Sequence, residues 1–450
     1  MTLLTEEKTL PAEKRAARRP AHPLRSEYRR GFAPLTGVAV LLTLLVGAAI
    51  VADTWQGGWA ETRDRLHTGA VLLGIPMALA AGCWQGGREH RRGTGELLRT
   101  SVRGSLSRFL ATALPVAAWV AVGHLVAAGL ALLATWYCAT GDSPHLVVPL
   151  TDAVLIGCAA LAGHVVGRVV PWRLAAPVLA LGGYVVLGVL SYDHYGPLNR
   201  LSPLPRLWPE DVPVWWQPLA TVAWVGGLAL TAVLAHAARR RATALLPLAA
   251  AVAAAVLLAQ TGDGLTRTNP VALRQVCDTS TTPQVCVNAR YEKLLPQITD
   301  ALSGLTGRLE GVENLPVRFA DRQDGPREDE VYLPSVTPLG WSAVRGRLTH
   351  PERYAWEAGM ALVGRADCDR TDPVLAATDA AVEHYLAPSP MEAEFDRQDA
   401  RGRASDRAAL KARQEARARL LAMDEERRRS WLSEYFATAT GCDASGAPTL

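Results

Sequence analysis

Three ionisable side chains interrupt stretches of sequence that are otherwise apolar. His124 stands in the middle of a run over 110–137, and Asp152 and His164 lie toward the two ends of a run over 146–167. Charged or imidazole groups at membrane depth are costly, roughly 2.5–3.5 kcal/mol for a charge on insertion scales, so they face protein or water rather than lipid. Two chemistries suit them. A proton relay would need the three groups within hydrogen-bond reach of one another. A neutral imidazole bonding across a helix interface, worth about 1 kcal/mol, is the plainer alternative. His236, at the end of a later apolar run, belongs to the same class.

Cysteines are the second chemical signal. Cys83 and Cys158 lie in apolar runs and Cys138 at the end of one, whereas Cys277, Cys286, Cys368 and Cys442 fall in the charged stretch 262–450. Four cysteines in a soluble domain suit an oxidising compartment. They allow three pairings; Cys277–Cys286 with Cys368–Cys442 is favoured because the first two are nine residues apart. Four unpaired buried thiols are the alternative, and zinc is disfavoured because no CxxC or neighbouring histidine pair is present.

Other motifs are missing. The sequence holds no His-Glu-x-x-His, no Gly-x-Ser-x-Gly and no Gly-x-x-x-x-Gly-Lys-Ser/Thr, so neither a hydrolase centre, a metal or cofactor site, nor an ATP cradle is expected. Among 262–450, His350 and His384 read as surface residues, and Glu328, Asp329 and Glu330 as a solvated loop or a weak cation site. The net charge of +4 is too small to argue for nucleic acid.

These residues must be held by membrane helices. A bilayer core of roughly 30 Å needs about 20 apolar residues in a helix. Seven stretches qualify: 32–52, 69–86, 110–137, 146–167, 174–192, 217–238 and 242–260, the last leaning on alanine and therefore the weakest. Lys and Arg fix the direction. Nineteen lie in the leader 1–31, the loop after the second span, the turn at Arg168 and Arg173, and Arg239 to Arg241; the alternate loops hold four, Arg63, Arg65, Arg200 and Arg206. The expectation is a multi-pass, all-α protein of a bacterial plasma membrane, with a cytoplasmic N-terminus and a C-terminal domain, 262–450, outside.

The loop after the second span runs from Arg88 to Ala111. Residues 96–107 can form a short surface helix, with Leu97, Leu98 and Val102 on one side and Arg99, Arg103 and Arg108 exposed at helical spacing. On physical grounds alone it could be a stop-transfer loop held to anionic membrane lipid. Its pattern also resembles the permease subunit of type-2 ABC transporters: Glu89, Gly93, Thr94, Glu96, Leu98 and the pair Ser107-Arg108 stand at comparable places. The resemblance covers about 25–260. It implies a coupling helix, with Glu96, Leu97, Leu98, Arg99 and Arg103 receiving the motion of a separate ATPase subunit, and a homo- or heterodimer of permease subunits. A seventh span and a C-terminal domain are additions to that six-span plan.

That last domain reads as mainly α, with some β. Helical spacing marks 289–310, where Pro296 would bend the helix, and also 351–364, 373–387 and 391–438; 316–320 and 330–333 read as short strands. The expected role is cargo or partner binding outside the cell; the alternative is a non-transporting sensor or assembly protein on a permease-like scaffold.

Overall fold

The computed structural model describes residues 28, 31–93, 104–139, 143–192, 197–204, 211–322, 324–336, 343–364, 372–438 and 446–450. Helices dominate. Among the described residues six are long and apolar enough to cross a membrane, and with three small sheets they make a polytopic helical membrane protein.

The first is α1 (Phe32–Ala49). The second is one continuous helical unit over Trp59–Arg92, made of α2 (Trp59–Gly69), a π turn (Ala70–Gly74), α3 (Ile75–Gly86) and α4 (Arg88–Arg92). It starts ten residues before the expected span 69–86, where Glu61, Arg63 and Arg65 each find a hydrogen-bond partner. Pro76 explains the π turn: it has no N–H to give and its ring crowds the carbonyl four residues back, at Leu72, inside the widened turn. Next come α5 (Ser105–Trp136), α6 (Val147–Val169) and α7 (Ala175–Tyr192). Among the described residues α7 contributes the apolar stretch Ala175–Val189. A short helix α8 (Pro197–Leu201) leads to α9 (Gln217–Ala237) and α10 (Leu245–Thr261). The alanine-rich stretch around α10 has a mean hydropathy of 2.3, above that of the other five.

Small residues set the closest crossing. On α3, Gly82 and Gly86 meet Gly163 and Gly167 of α6, and a Cβ placed at any of the four would lie 2.0–2.3 Å from a backbone oxygen of the facing helix. Backbones this near can only be glycine. Gly123 of α5 meets Gly37 of α1 in the same way, whereas Gly129 and Gly182, also candidates for close packing, face open space.

Two main apolar cores share no residue. One fills the helical bundle between α1, α3, α5 and α6. The other lies among the C-terminal residues around a four-stranded sheet of β3 (Gln275–Asp278), β4 (Gln284–Asn288), β5 (Arg318–Ala320) and β6 (Glu330–Tyr332), paired in that order. The first pair is antiparallel and the other two are parallel. Helix α11 (Leu295–Arg308) makes the crossover from β4 to β5 and buries Ile298, Leu302 and Leu305 at helical spacing. A 3₁₀ turn over Ala289–Leu294 precedes it, so Pro296 starts the helix instead of bending it. The hairpin β7 (Ala343–Val344) and β8 (Arg347–Leu348) comes next, followed by α12 (Pro351–Val363) and α13 (Pro373–Leu386). The expected helix 391–438 is three: α14 (Glu392–Arg401), α15 (Ala404–Ala422) and α16 (Glu425–Ala437).

One sheet joins the two parts of the chain. Strand β1 (Asp211–Pro213), before α9, pairs antiparallel with β2 (Thr266–Thr268), after α10.

Candidate functional site

Helix α2 carries Glu61, Thr62, Arg63, Asp64, Arg65 and His67 within seven residues, and the polar ones that are buried are bonded. Glu61 Oε1 accepts from Arg290 Nη2 and from the Tyr291 hydroxyl, each at 2.9 Å. The carboxylate is 1% exposed and the guanidinium 4%. Thr62 and Thr135 share a hydroxyl bond of 2.7 Å. Arg63 donates to the carbonyl of Asp211 at 2.9 Å, and Arg65 to that of Gly47 at 2.6 Å. Burying an ion is unfavourable unless its partners are in place, so this end of α2 is built for contact with residues 211 and 290–291 and not for lipid.

Nearby, Gln56 accepts from the backbone N–H of Arg345 at 2.8 Å and from its guanidinium at 2.6 Å. Cys138 donates its thiol to the Gln56 carbonyl at 3.4 Å, and burial pushes that thiol's pKa up, so it stays protonated.

One turn and a half deeper, His67 Nδ1 lies 2.8 Å from Asp152 Oδ1. The same ring reaches the backbone carbonyl of Pro203. His124 Nε2 donates to the carbonyl of Pro149 at 3.2 Å, on the turn of α6 that carries Asp152. Asp152 Oδ2 and His124 Nδ1 are buried without a hydrogen-bond partner. His164 is elsewhere. It stands twelve residues along α6 from Asp152, about 18 Å at the helical rise, with Nε2 3.2 Å from Thr112 Oγ1 and its ring edge-on to Phe109. A three-membered relay is therefore not assembled; Asp152 and His124 share one site with His67, which lies just before the expected span 69–86.

At the opposite end of the bundle, Glu89 pairs with Arg168, and His90 Nε2 lies 2.9 Å from the Arg168 carbonyl. Ser105 bonds the carbonyl of Ala237 at 2.6 Å, tying the start of α5 to the end of α9. Gly93 closes α4 in the left-handed region with φ 63°. Thr94, Glu96, Leu97, Leu98, Arg99 and Arg103 lie outside the described residues.

In the C-terminal part, Cys277 and Cys286 face each other across β3 and β4 and are bridged; Cys368 and Cys442 lie outside the described residues. Glu330 is no cation ligand. Its buried carboxylate accepts from Arg322 Nε at 2.6 Å and Nη2 at 2.9 Å, with Arg318 at 3.4 Å. The hydrogen bonds from Arg322 hold it below the usual carboxylate range. His384 is no lone surface residue either, because Glu392 takes its Nδ1 at 2.8 Å. Among the described residues no three His, Cys, Asp or Glu side chains converge on a metal-sized site.

Sequence reasoning missed Glu61, Arg63, Arg290 and Tyr291. A signal existed: six polar residues within seven, ahead of an apolar run, need partners if they are helical. The fold and site define a multi-pass helical membrane protein whose bundle is bonded to a C-terminal sheet-and-helix part. Comparison with protein-family models, curated proteins and solved structures finds no match.

Proposed function

We propose that the chain is the permease-like subunit of an exporter driven by a separate ABC-type ATPase, working as a homo- or heterodimer in a bacterial plasma membrane. The carrying observation is the helical unit Trp59–Arg92. At about 1.5 Å per residue it spans roughly 50 Å. One end is bonded to Arg290 and Tyr291, and the other opens into the loop 94–103 whose sequence resembles a coupling helix. Motion delivered to that loop would reach the C-terminal domain through one rod, with the π turn as its compliant point.

The contacts support seven crossings. Residue 61 touches residue 290, so the chain between them crosses an even number of times. Five of the long apolar helices lie in that interval, and α7 supplies the sixth crossing. Helix α1 makes seven. With arginine-rich loops inside, the leader 1–31 is cytoplasmic and the domain 262–450 extracytoplasmic.

The test is association. An ATPase should co-purify with the wild type and be lost from R99E/R103E; unchanged association overturns the reading. The buried bonds of Glu61 to Arg290 and Tyr291 at the bundle–domain contact favour a second reading, a non-transporting sensor or assembly protein. An intact complex whose ATPase activity no cargo stimulates would select it.

A further inference from the structure

The end of the bundle that holds Glu89 and Arg168 carries more positive charge than its own carboxylate can balance. Arg88, Arg92 and Arg173 all act electrostatically on Arg91. Glu89, the acid within this group, is engaged by Arg168. Arg92 and Arg173 are exposed and have no carboxylate partner among the described residues.

Two tryptophans frame the group. The Arg91 guanidinium lies 4.1 Å from the ring centroid of Trp84 and donates to the Trp84 carbonyl. Trp84 is 45% exposed, and Trp172, next to Arg173, is 54% exposed. Between the end of α3 and the turn joining α6 to α7 is a narrow cleft lined by Trp84, Gly87, Arg91, Gly167, Trp172 and Arg173. Gly87 leaves room for the Arg91 guanidinium, whose Nη1 would lie 2.6 Å from a Cβ placed there. Indole rings settle at the headgroup level of a bilayer. A guanidinium offers forked donors that match phosphate oxygens.

We propose that the mouth of this cleft binds the phosphate headgroup of an anionic phospholipid lying across it, with Arg91 and Arg173 as the phosphate ligands and Trp84 and Trp172 as its interfacial walls. Arg91 is set by its stacking on Trp84, and Arg173 lines the opposite wall from the turn joining α6 to α7. The site fixes the α3–α4 end and the α6–α7 turn to one lipid. It does not depend on an ATPase partner.

The test uses the full chain in neutral detergent, titrated with phosphatidylglycerol or phosphatidylcholine, with bound lipid counted by native mass spectrometry. The wild type should retain phosphatidylglycerol in preference. R91Q/R173Q should bind it more weakly by roughly 25-fold, on the order of five-fold for each arginine near an anionic headgroup, while R91K/R173K keeps part of the affinity. R240Q/R241Q removes the same charge from another exposed loop at this end of the bundle and should leave retention within about two-fold. W172L gives a second variant that leaves every charge in place and should weaken binding.

Equal retention of the two lipids overturns the proposal. So does an R240Q/R241Q loss as large as that of R91Q/R173Q, which would mean a diffuse basic surface. Displacement of the lipid by inorganic phosphate at equal concentration would make this a site for a soluble phosphate compound, and the lipid proposal would fall. If R91Q/R173Q is not monodisperse, the W172L and wild-type lipid comparisons decide.

Discussion

The contact of Glu61 with Arg290 and Tyr291 gives the sharpest expectation. Both ions are almost wholly buried, and the carboxylate oxygen is shared by two donors. Replacing Glu61 by Ala takes the carboxylate acceptor from a buried guanidinium and a buried phenol. Breaking a buried pair from one side costs roughly 3–5 kcal/mol; at 1.36 kcal/mol per tenfold, that is about 2.2 to 3.7 orders of magnitude in the local opening equilibrium. Removing Arg290 alone should cost a comparable amount. The double variant E61A/R290A should be less destabilised than the sum of the two, since neither ion is then left behind.

Hydrogen exchange in the full-length protein is the assay. The amides of the turn Ala289–Leu294 should exchange faster in each single variant, with β5 and β6 amides unchanged as an internal reference. E61Q keeps an acceptor for Tyr291 but removes the charge that faces Arg290, so it should fall between wild type and E61A. Single variants indistinguishable from wild type, or strict additivity in the double variant, would refute the idea that this pair clamps the two parts together.

Further outcomes follow from other sites. Gly163→Val should abolish monodisperse expression, because even its Cβ would meet the Leu79 carbonyl oxygen at 2.1 Å and neither backbone can yield; Gly129→Val, with open space around it, should express normally. Glu330 has a depressed folded-state pKa, so its contribution to stability is complete above the ordinary glutamate range and disappears as pH falls through the lowered value. Protection of β5 and β6 amides should therefore drop at acid pH in the wild type, and in E330Q it should be low throughout; a pH-independent wild type contradicts this. After reduction of intact cells, a membrane-impermeant thiol reagent should label Cys277; labelling only after lysis would reverse the orientation.

The long membrane helices were legible because length and apolarity alone specify them, α10 included, whose alanine-rich stretch is the most apolar of the six. The start of the second helix was not. Arg63 and Arg65 count as loop charges until their acceptors, the carbonyls of Asp211 and Gly47, are known. Glu61 and Arg290 are separated by 229 residues, and nothing local links them. Strands β3 and β4 escaped because four or five residues with polar ends carry too little alternation to read. Asp152 and His124 stood out as unusual in place, yet their shared neighbour His67 sat just outside the apolar run. Arg322 and Arg318 were what turned Glu330 from a solvated acid into a buried one.

The pairing of Asp211–Pro213 with Thr266–Thr268 works as a clasp around α9 and α10. It can close only after both helices have entered the lipid and the second strand has emerged beside the first. A hairpin of these two helices that stalls halfway leaves the backbone edges of both strands unpaired, whereas a finished one seals them against each other.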